Sequence, residues 1–316
     1  MTARAFRFGY EVSASESATA LRNDVERAEA AGFDVAHASD HVGSGWAPLA
    51  QLAAMAAATT RIRVGTLVLN NDFHNPVNLA REIATIDHFS NGRVELGIGA
   101  GHAFTEYHAI GVAFDPPATR KARLAESVEI LRALLGGQTL SYAGDHYQLD
   151  HVCTMPSLQQ HLPILVGING RAALTHAAVH ADTIGLTMVG RTLEDGQHHE
   201  VRWEPDRIDR TIAHIRAAAQ HRASPVELNA LIQATVVTDD RASVAARIAE
   251  RTVGLTAADA LTSPFLAIGT HDEIADHLYA CRERWGISYF SVRIIDSFAP
   301  VIERIRAREP QGSVHG

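Results

Sequence analysis

The feature that most constrains this chain of 316 residues is its alternation of short, β-branched runs with longer segments whose apolar residues recur at helical spacing. Repeated strand–helix units of this kind are typical of a parallel sheet covered by helices. Eight strands are predicted, at Phe8–Val12, Val35–Ser39, Ile62–Leu69, Val94–Ile98, Ile164–Gly167, Thr183–Leu186, Leu228–Val237 and Tyr289–Ile294. Because the units follow one another without a break in composition, we predict an α/β fold of the closed (β/α)8 type, a TIM barrel, forming a single domain over residues 1–316.

Three segments depart from this alternation. Gly144–Val152 is predicted to be an extended insertion between the fourth helix and the fifth strand. Thr187–Val201 is rich in Gly, Glu and His and has no periodicity, so we predict a long loop there. About 15 residues after Gly101 are also predicted to be irregular rather than helical.

Charge and composition disfavour several classes of protein. The net charge is -8 and Lys121 is the only lysine, whereas nucleic-acid binding needs clustered basic residues. No apolar run approaches the roughly 20 residues that span a bilayer, and the first ten residues lack the apolar core of a signal peptide. Two cysteines in so long a chain do not indicate disulfide bonds. We therefore expect a cytoplasmic protein that binds neither nucleic acid nor membrane.

The 18 histidines raise the question of a bound metal. Zinc sites are recognised by ligand spacing, and both HExxH and paired CxxC motifs are missing. The first strand, FGYEV, also lacks an HxH pair, which disfavours a metal-dependent hydrolase on this barrel. We predict no metal site.

The catalytic groups of a barrel lie at the carboxyl ends of its strands, and polar residues and glycines gather at these ends here. Asp40 and His41 follow the second strand, and Asn70 follows the third. Gly99 to Thr105 follows the fourth strand, and Asn169 and Gly170 follow the fifth. We expect these residues to meet at one mouth of the barrel.

Two glycine-containing turns among these strand ends suggest a ligand. Gly97–Gly101 fails as a dinucleotide loop because His102 stands where GxGxxG needs its third glycine, so either a planar ligand approaches this backbone or the glycines simply make a turn. Asn169 and Gly170 open a helix directly after a strand, and free N–H groups there would bind phosphate with Arg171 as a charge partner. An ordinary strand-to-helix turn explains the second pattern equally well.

The Asp40–His41 dipeptide has two interpretations. The carboxylate could orient the imidazole and raise its pKa, forming a catalytic pair. Alternatively, Asp40 could cap a helix with His41 as its neighbour. The same dipeptide recurs at Asp87–His88 inside a predicted helix, where no catalysis is expected, so position at a strand end is what favours the catalytic interpretation.

Three stretches resemble a known family. They are the run ASDH at Ala38–His41, the run GTLVLNNDFHNP at Gly65–Pro76 with the segment DHFSNGRVELGIGAG that follows it, and the run IGTHDEIADHLYACRERWGISYFSV at Ile268–Val292. By these motifs the chain resembles the luciferase-like monooxygenases, in particular their coenzyme F420-dependent branch.

The resemblance implies an isoalloxazine-like ring at the barrel mouth, hydride transfer at one face of the ring, and a homodimer. It places a non-prolyl cis peptide between Leu67 and Val68, against the ring. It places Asp40 and His41 over the ring, with His41 as a proton relay. It makes Asn70 a contact of the ring or ribityl chain, puts Thr105 where related dehydrogenases have asparagine, and assigns the turn of Asn169, Gly170 and Arg171 to phosphate.

One departure from the family limits what can be carried over. His102 stands where related sugar-phosphate dehydrogenases have a glutamate that acts as a general acid, so their substrate is not implied. We expect an F420-dependent oxidoreductase acting on a small organic molecule, with His41, Asp40 and His102 as catalytic residues. The alternative is an FMN-dependent monooxygenase supplied by a separate flavin reductase. The variable segments Thr187–Val201 and Thr252–Pro264 are expected to select the substrate.

Overall fold

The computed structural model describes residues 4–12, 15–43, 45–193 and 199–309. The strands are β1 (Arg7–Glu11), β2 (Val35–Ala38), β3 (Arg63–Thr66), β4 (Leu69–Asn70), β5 (Val94–Gly99), β6 (Leu140–Ala143), β7 (Gln148–Val152), β8 (Ile164–Ile168), β9 (Thr183–Leu186), β10 (Val189–Thr192), β11 (His199–Val201), β12 (Glu227–Leu231), β13 (Ala234–Val237), β14 (Leu266–Gly269) and β15 (Ile287–Val292). The helices are α1 (Ala18–Ala30), α2 (Pro48–Ala58), α3 (Pro76–Phe89), α4 (Phe104–Ala109), α5 (Pro117–Leu135), α6 (Arg171–His180), α7 (Pro205–Ala218), α8 (Arg241–Arg251), α9 (Ala257–Ala260), α10 (His271–Trp285) and α11 (Ala299–Arg308). None of the helices in these described ranges is both long and apolar enough to cross a bilayer.

The central sheet is a closed parallel barrel, as predicted. Its strands follow the order β3-β2-β1-β15-β12-β9-β8-β5-β4, and a further pairing of β3 with β5 closes the ring. Since β3 and β4 together fill one position, the barrel has eight strand positions. The helices surround it, and the predicted insertion after α5 is the antiparallel hairpin β6–β7.

Local sequence signals account for the clearest strand–helix units. In α1, Leu21, Val25 and Ala28 recur at helical spacing and are all buried. In α10, Thr270 and Glu273 form a reciprocal capping box at the start, and Gly286 ends the helix in the left-handed conformation with φ of 75°. These apolar faces pack the helices on the barrel, so the strand ends are held in fixed positions.

The predicted third strand, Ile62–Leu69, is interrupted, so its uniform extended form is wrong. Gly65 pairs with Glu95, and Leu69 pairs with Ile98. The chain therefore advances four residues where its partner advances three, which leaves one extra residue between β3 and β4. The peptide bond between Leu67 and Val68 is cis, as the resemblance implies.

The predicted seventh strand, Leu228–Val237, is also wrong as a single element. The Ile232 N–H still donates to the Ser291 carbonyl on β15, but the Gln233 N–H donates to the Phe265 carbonyl. The chain changes partners between these two residues, and β13 then leaves the barrel to pair with β14. The strand β14 was not predicted, because an apolar run of four residues carries no periodicity of its own.

Two segments predicted to be irregular contain regular structure. In the predicted loop Thr187–Val201, β10 pairs antiparallel with β11, while residues 194–198 of that loop lie outside the described residues. The segment after Gly101 contains α4, which begins without a side-chain cap. A helix of six residues with no capping signal is not expected from sequence alone.

Paired charges occupy part of the barrel interior. Arg7 donates to Glu227 at 2.7 Å and also to Glu95, and its guanidinium carbon lies 4.4 Å from the centre of the Tyr289 ring. His37 Nε2 lies 2.8 Å from the Tyr289 hydroxyl. Burial lowers the pKa of His37 to about 4, although Glu95 opposes the change. The barrel below the mouth is therefore filled by side chains and is not a pore.

Candidate active site

A cavity of about 1600 Å³ opens at the carboxyl ends of the barrel strands. It brings together nine of the residues that the sequence placed at the site, namely Asp40, His41, Leu67, Val68, Asn70, His102, Asn169, Gly170 and Arg171. Thr105 is the exception: it is an exposed residue of α4 and is not among the described residues that line the cavity. Glu106 faces the cavity instead, because successive residues of a helix point about 100° apart.

The glycines of β5 and β8 make room for Val68. A Cβ atom on Gly99 would lie 2.8 Å from Val68 Cγ2, and one on Gly167 would lie 3.3 Å from the same side chain. A Cβ atom on Gly97 would lie 1.9 Å from the Thr66 carbonyl oxygen, which no side chain tolerates. Both interpretations of the glycine series are therefore incomplete, because these glycines accommodate the neighbouring strand, which in turn presents Val68 to the cavity.

Asp40 is paired with His74 rather than with His41. Its Oδ2 accepts a hydrogen bond from the Asn70 N–H at 2.9 Å and lies 3.0 Å from His74 Nε2. Neither interpretation of the Asp40–His41 dipeptide is correct, since the following helix is capped at Ala47. Asp40 instead ties the end of β2 to β4 and to the turn that precedes α3.

His41 has a different carboxylate partner, which the sequence analysis missed. Its Nδ1 lies 2.8 Å from Glu106 Oε1 on α4. The His41 side chain is 45% exposed and the Glu106 side chain 16%, so the imidazole opens to the cavity while the carboxylate lies behind it. A carboxylate in this position can orient the ring and accept its proton.

His102 lies between two other imidazoles. Its ring centre is 6.2 Å from that of His41 and 5.2 Å from that of His199. His102 is exposed and lines the cavity, and the surrounding protein partly desolvates it. This desolvation, with His199, His41 and Arg120 adding to it, lowers the pKa of His102 to about 4. His102 is therefore neutral at neutral pH.

Asn70 and the loop after β5 are held by buried hydrogen bonds. Asn70 Oδ1 accepts from the Tyr107 hydroxyl at 3.0 Å. A Cβ atom on Gly101, whose φ is 70°, would lie 2.2 Å from that hydroxyl. Arg120 donates to the Ala100 carbonyl at 3.0 Å and stacks 4.2 Å from the centre of the Phe114 ring. These hydrogen bonds therefore hold in place the loop after β5 that carries His102.

Positive charge collects at the part of the cavity around the start of α6. Gly170 is the N-cap, with φ of 88°, and a Cβ atom there would lie 3.1 Å from Lys121 Nζ. Lys121 donates to Asn169 Oδ1 at 2.9 Å. Burial, and then Arg120, lowers the pKa of Lys121. The sole lysine of the chain therefore lies at the turn that the sequence assigned to phosphate.

Helix α7 adds further cations to this part of the cavity. Arg207 and Arg210 line the cavity beside Arg171, and none of the three pairs with an acidic side chain among the described residues. His214, on the same face of α7, lies 3.0 Å through Nε2 from the Arg171 carbonyl oxygen. The spacing of residues 207, 210 and 214 is helical and was visible in the sequence, but nothing local indicates which face of α7 meets the cavity.

A carboxylate and an arginine face each other across the ends of β1 and β15. Glu11 and Arg293 both line the cavity, and their side chains approach to 3.2 Å. Burial raises the pKa of Glu11, although Arg293 opposes the change. These two residues were also missed, and they offer polar contacts to a substrate.

Comparison with known proteins places the chain among related sequences and folds. The sequence profile described as luciferase-like monooxygenase matches residues 2–258. An F420-dependent glucose-6-phosphate dehydrogenase of Amycolatopsis mediterranei is 34% identical over 187 residues, which cover 56% of this chain and 56% of that protein. The chain thus aligns with little more than half the length of this curated relative.

Solved structures of two kinds share the fold. An F420-dependent secondary alcohol dehydrogenase, in complex with an F420–acetone adduct, superposes with a TM-score of 0.76 at 20% identity, covering 96% of this chain and 100% of the other. A monooxygenase from Streptomyces bottropensis superposes with a TM-score of 0.72 at 21% identity, covering 94% and 96%. At these identities the similarity establishes the fold alone.

Proposed function

This chain belongs to the luciferase-like monooxygenase family, and from that premise we propose that it is an oxidoreductase that uses coenzyme F420 to transfer a hydride to or from a small organic substrate. The observation that carries the proposal is that one cavity brings together the apolar side chain of Val68, the pair His41–Glu106 and the basic start of α6. The F420-dependent relative from Amycolatopsis mediterranei supports the same choice within the family.

The residues suit a ring cofactor with an anionic tail. Val68, for which the glycines of β5 and β8 make room, presents an apolar surface to the cavity against which a planar ring can lie. The free N–H groups at the start of α6, with Lys121 and Arg171, suit a phosphate. When bound, F420 supplies a ring carbon that accepts or donates a hydride and does not readily form oxygen adducts.

The roles of the histidines follow from their surroundings. His41, held by Glu106, moves a proton to or from the substrate oxygen or nitrogen that changes protonation during the reaction. His102 is neutral at neutral pH and serves as a hydrogen-bond partner that orients the substrate. Asp40 acts through Asn70, whose N–H it holds, and is a positioning residue.

The main competing function is FMN-dependent monooxygenation with a separate flavin reductase. The description of the matching family, luciferase-like monooxygenase, supports this alternative. The charge of the cavity argues for F420, because Arg207 and Arg210 extend the positive surface beyond the α6 turn that one phosphate would occupy. A longer anionic tail would use these arginines.

The first prediction is that F420 binds roughly tenfold or more tightly than FMN, a difference of about 1.4 kcal/mol. Titration of the purified protein with each cofactor, followed by ring fluorescence, gives both dissociation constants. A deazaflavin without phosphate or tail serves as the control, and we expect it to bind more weakly than F420. Tighter binding of FMN would assign the protein to the monooxygenase branch.

The homodimer implied by the resemblance is proposed as well, and light scattering would test it.

A further inference from the structure

A cluster of metal-ligating side chains lies outside the cavity, where α5 packs against α6. Glu129 of α5 and His176 and His180 of α6 each offer one ligand atom, and these atoms all lie within 4.8 Å of one another. None of the three lines the cavity. The cluster is therefore separate from the proposed cofactor site.

The spacing of the two histidines explains the geometry. Residues four apart on a helix lie on one face, and the rings of His176 and His180 stack with centres 4.3 Å apart and planes 20° apart. His176 Nε2 lies 3.0 Å from Glu129 Oε1 on the neighbouring helix. Such a separation between a nitrogen and an oxygen allows both to bind one ion.

The carboxylate is held in place from its other side. The Tyr142 hydroxyl, on β6, donates to Glu129 Oε2 at 3.0 Å, which leaves Oε1 directed to the histidines. A hydroxyl that orients a ligating carboxylate in this way is typical of metal sites. Burial disfavours the ionised form of Glu129, but the hydrogen bonds from His176 and Tyr142 outweigh it and hold the pKa of that carboxyl below its usual range.

Arg222 and Arg132 act electrostatically on His180. The positive charges of the two arginines repel any cation at the site. The binding free energy of a metal ion would therefore come from its coordination bonds rather than from its charge alone.

We infer that Glu129, His176 and His180 bind a divalent transition-metal ion of the Zn²⁺ class, with water in the fourth position. Two imidazole nitrogens and one carboxylate oxygen form a donor set that zinc commonly takes. Magnesium and calcium prefer oxygen ligands only and would not compete. The ion would cross-link α5 and α6, the helices that also carry Lys121 and Arg171. It would thereby stabilise the basic part of the cavity from the outer side of these helices.

The test uses tag-free, full-length protein, freed of metal with a chelator and titrated calorimetrically with zinc chloride. We expect saturable binding of one ion through these three residues. His176→Ala and His180→Ala should each weaken that binding by roughly tenfold or more, and Tyr142→Phe by about tenfold, as for other groups that hold a ligand from behind. Magnesium chloride should give no heat above dilution.

His161→Ala is the matched control. His161 Nε2 lies 2.7 Å from Asp182 Oδ1, so it has the same kind of carboxylate partner, but it is not part of a three-ligand cluster among the described residues. Its loss should leave zinc affinity unchanged. Cobalt(II) gives a second readout, because strong visible bands of a tetrahedral ion should appear with wild type and disappear with His180→Gln. Equal zinc affinity in wild type and the two alanine variants, or no saturable binding at all, would overturn the proposal and leave the cluster as a hydrogen-bonded contact between helices.

Discussion

The imidazoles of His41 and His102 stand side by side at the mouth of the cavity, but they face different charges. His41 contacts the carboxylate of Glu106, whereas His102 faces His41 and His199. A carboxylate stabilises a protonated ring, and neighbouring imidazoles do not. Of the two, His41 is therefore the better suited to carry a proton during turnover.

We expect His41→Asn to reduce turnover by about 10² to 10⁴ while F420 affinity changes by no more than a few-fold, because asparagine keeps some hydrogen bonding but does not titrate. Steady-state kinetics and cofactor titration on the same preparation provide the measurement. Glu106→Gln should cause a smaller loss in the same direction. If F420 binding falls in parallel with turnover, His41 is a ring contact rather than a proton relay.

His102→Asn separates two roles for the second histidine. With a pKa of about 4, His102 is not an imidazolium at neutral pH and its remaining N–H is too weak an acid to protonate a substrate, so we expect kcat within a few-fold of wild type and a higher KM. The proton-donor role predicts instead a loss of about 10² to 10⁴ in turnover with an altered pH profile. A pH–rate profile of the variant decides between these outcomes.

Individual residues of the site could be predicted from the sequence, but their partners could not. Asp40, His41, Asn70 and Gly170 could be named because each follows a predicted strand. The partnership of Asp40 with His74, and that of His41 with Glu106, join parts of the chain 34 and 65 positions apart. Such pairs depend on how the barrel closes, and no local pattern encodes that closure.

Among the elements, α6 matters most for the proposed cofactor. It begins directly after β8, and its first N–H groups face the basic part of the cavity without a side-chain cap. Those groups and the positive end of the helix dipole suit an anion. A fixed carboxylate at the same place would compete with the cofactor.

We therefore expect Gly170→Asp to weaken F420 binding by roughly tenfold or more relative to Gly170→Ala, since the new carboxylate would bind the helix N–H groups and pair with Lys121. The alanine variant is the reference because φ of 88° disfavours any side chain, and both variants share that effect. Cofactor titration and thermal unfolding of the two variants measure it. Equal affinities would place the phosphate elsewhere.

Elements with their own boundary signals were predictable, and elements defined by partners were not. The capping box and final glycine of α10 fix both of its ends in the sequence. By contrast, β13 forms only because the chain stops pairing with β15 after Ile232 and pairs with β14 instead. The helix α9 has four residues and one cap, too little periodicity to be recognised.

For the molecule as a whole, eight successive strand–helix units were enough to predict a closed barrel, but they did not indicate what fills it. His37 is 2% exposed inside the barrel, between Gly9 and Tyr289. The paired charges of Arg7, Glu95 and Glu227 show that this barrel excludes water partly with polar groups.

The interior histidine gives the fold a pH dependence. Its pKa is about 4 in the folded state and 6.5 for an ordinary histidine, so between these values the unfolded chain binds a proton that the folded chain does not. Stability should therefore fall as the pH drops from about 6.5 towards 4, by about 3 kcal/mol for this group, and should not depend on it above or below that window. Urea unfolding at several pH values measures the slope.

His37→Gln should remove this group's part of the slope and leave the part that comes from His102, whose pKa is also about 4, whatever its effect on stability at neutral pH. His221→Gln is the control, because His221 is exposed and, among the described residues, forms a hydrogen bond only with its neighbour Gln220. An unchanged slope in His37→Gln would show that other groups, the interior carboxylates among them, cause the acid sensitivity.

The extra residue between β3 and β4 determines in which direction each side chain of β4 points. Gly65 faces His37 inside the barrel, so unbroken alternation would turn Leu69 inward and Asn70 towards the helices. The added residue reverses that parity: Leu69 packs in the main apolar core, and Asn70 opens into the cavity. Removing a single residue here would exchange the amide at the site for a hydrocarbon without altering any side chain's identity. The position of this one extra residue therefore decides whether Asn70 or Leu69 faces the cavity.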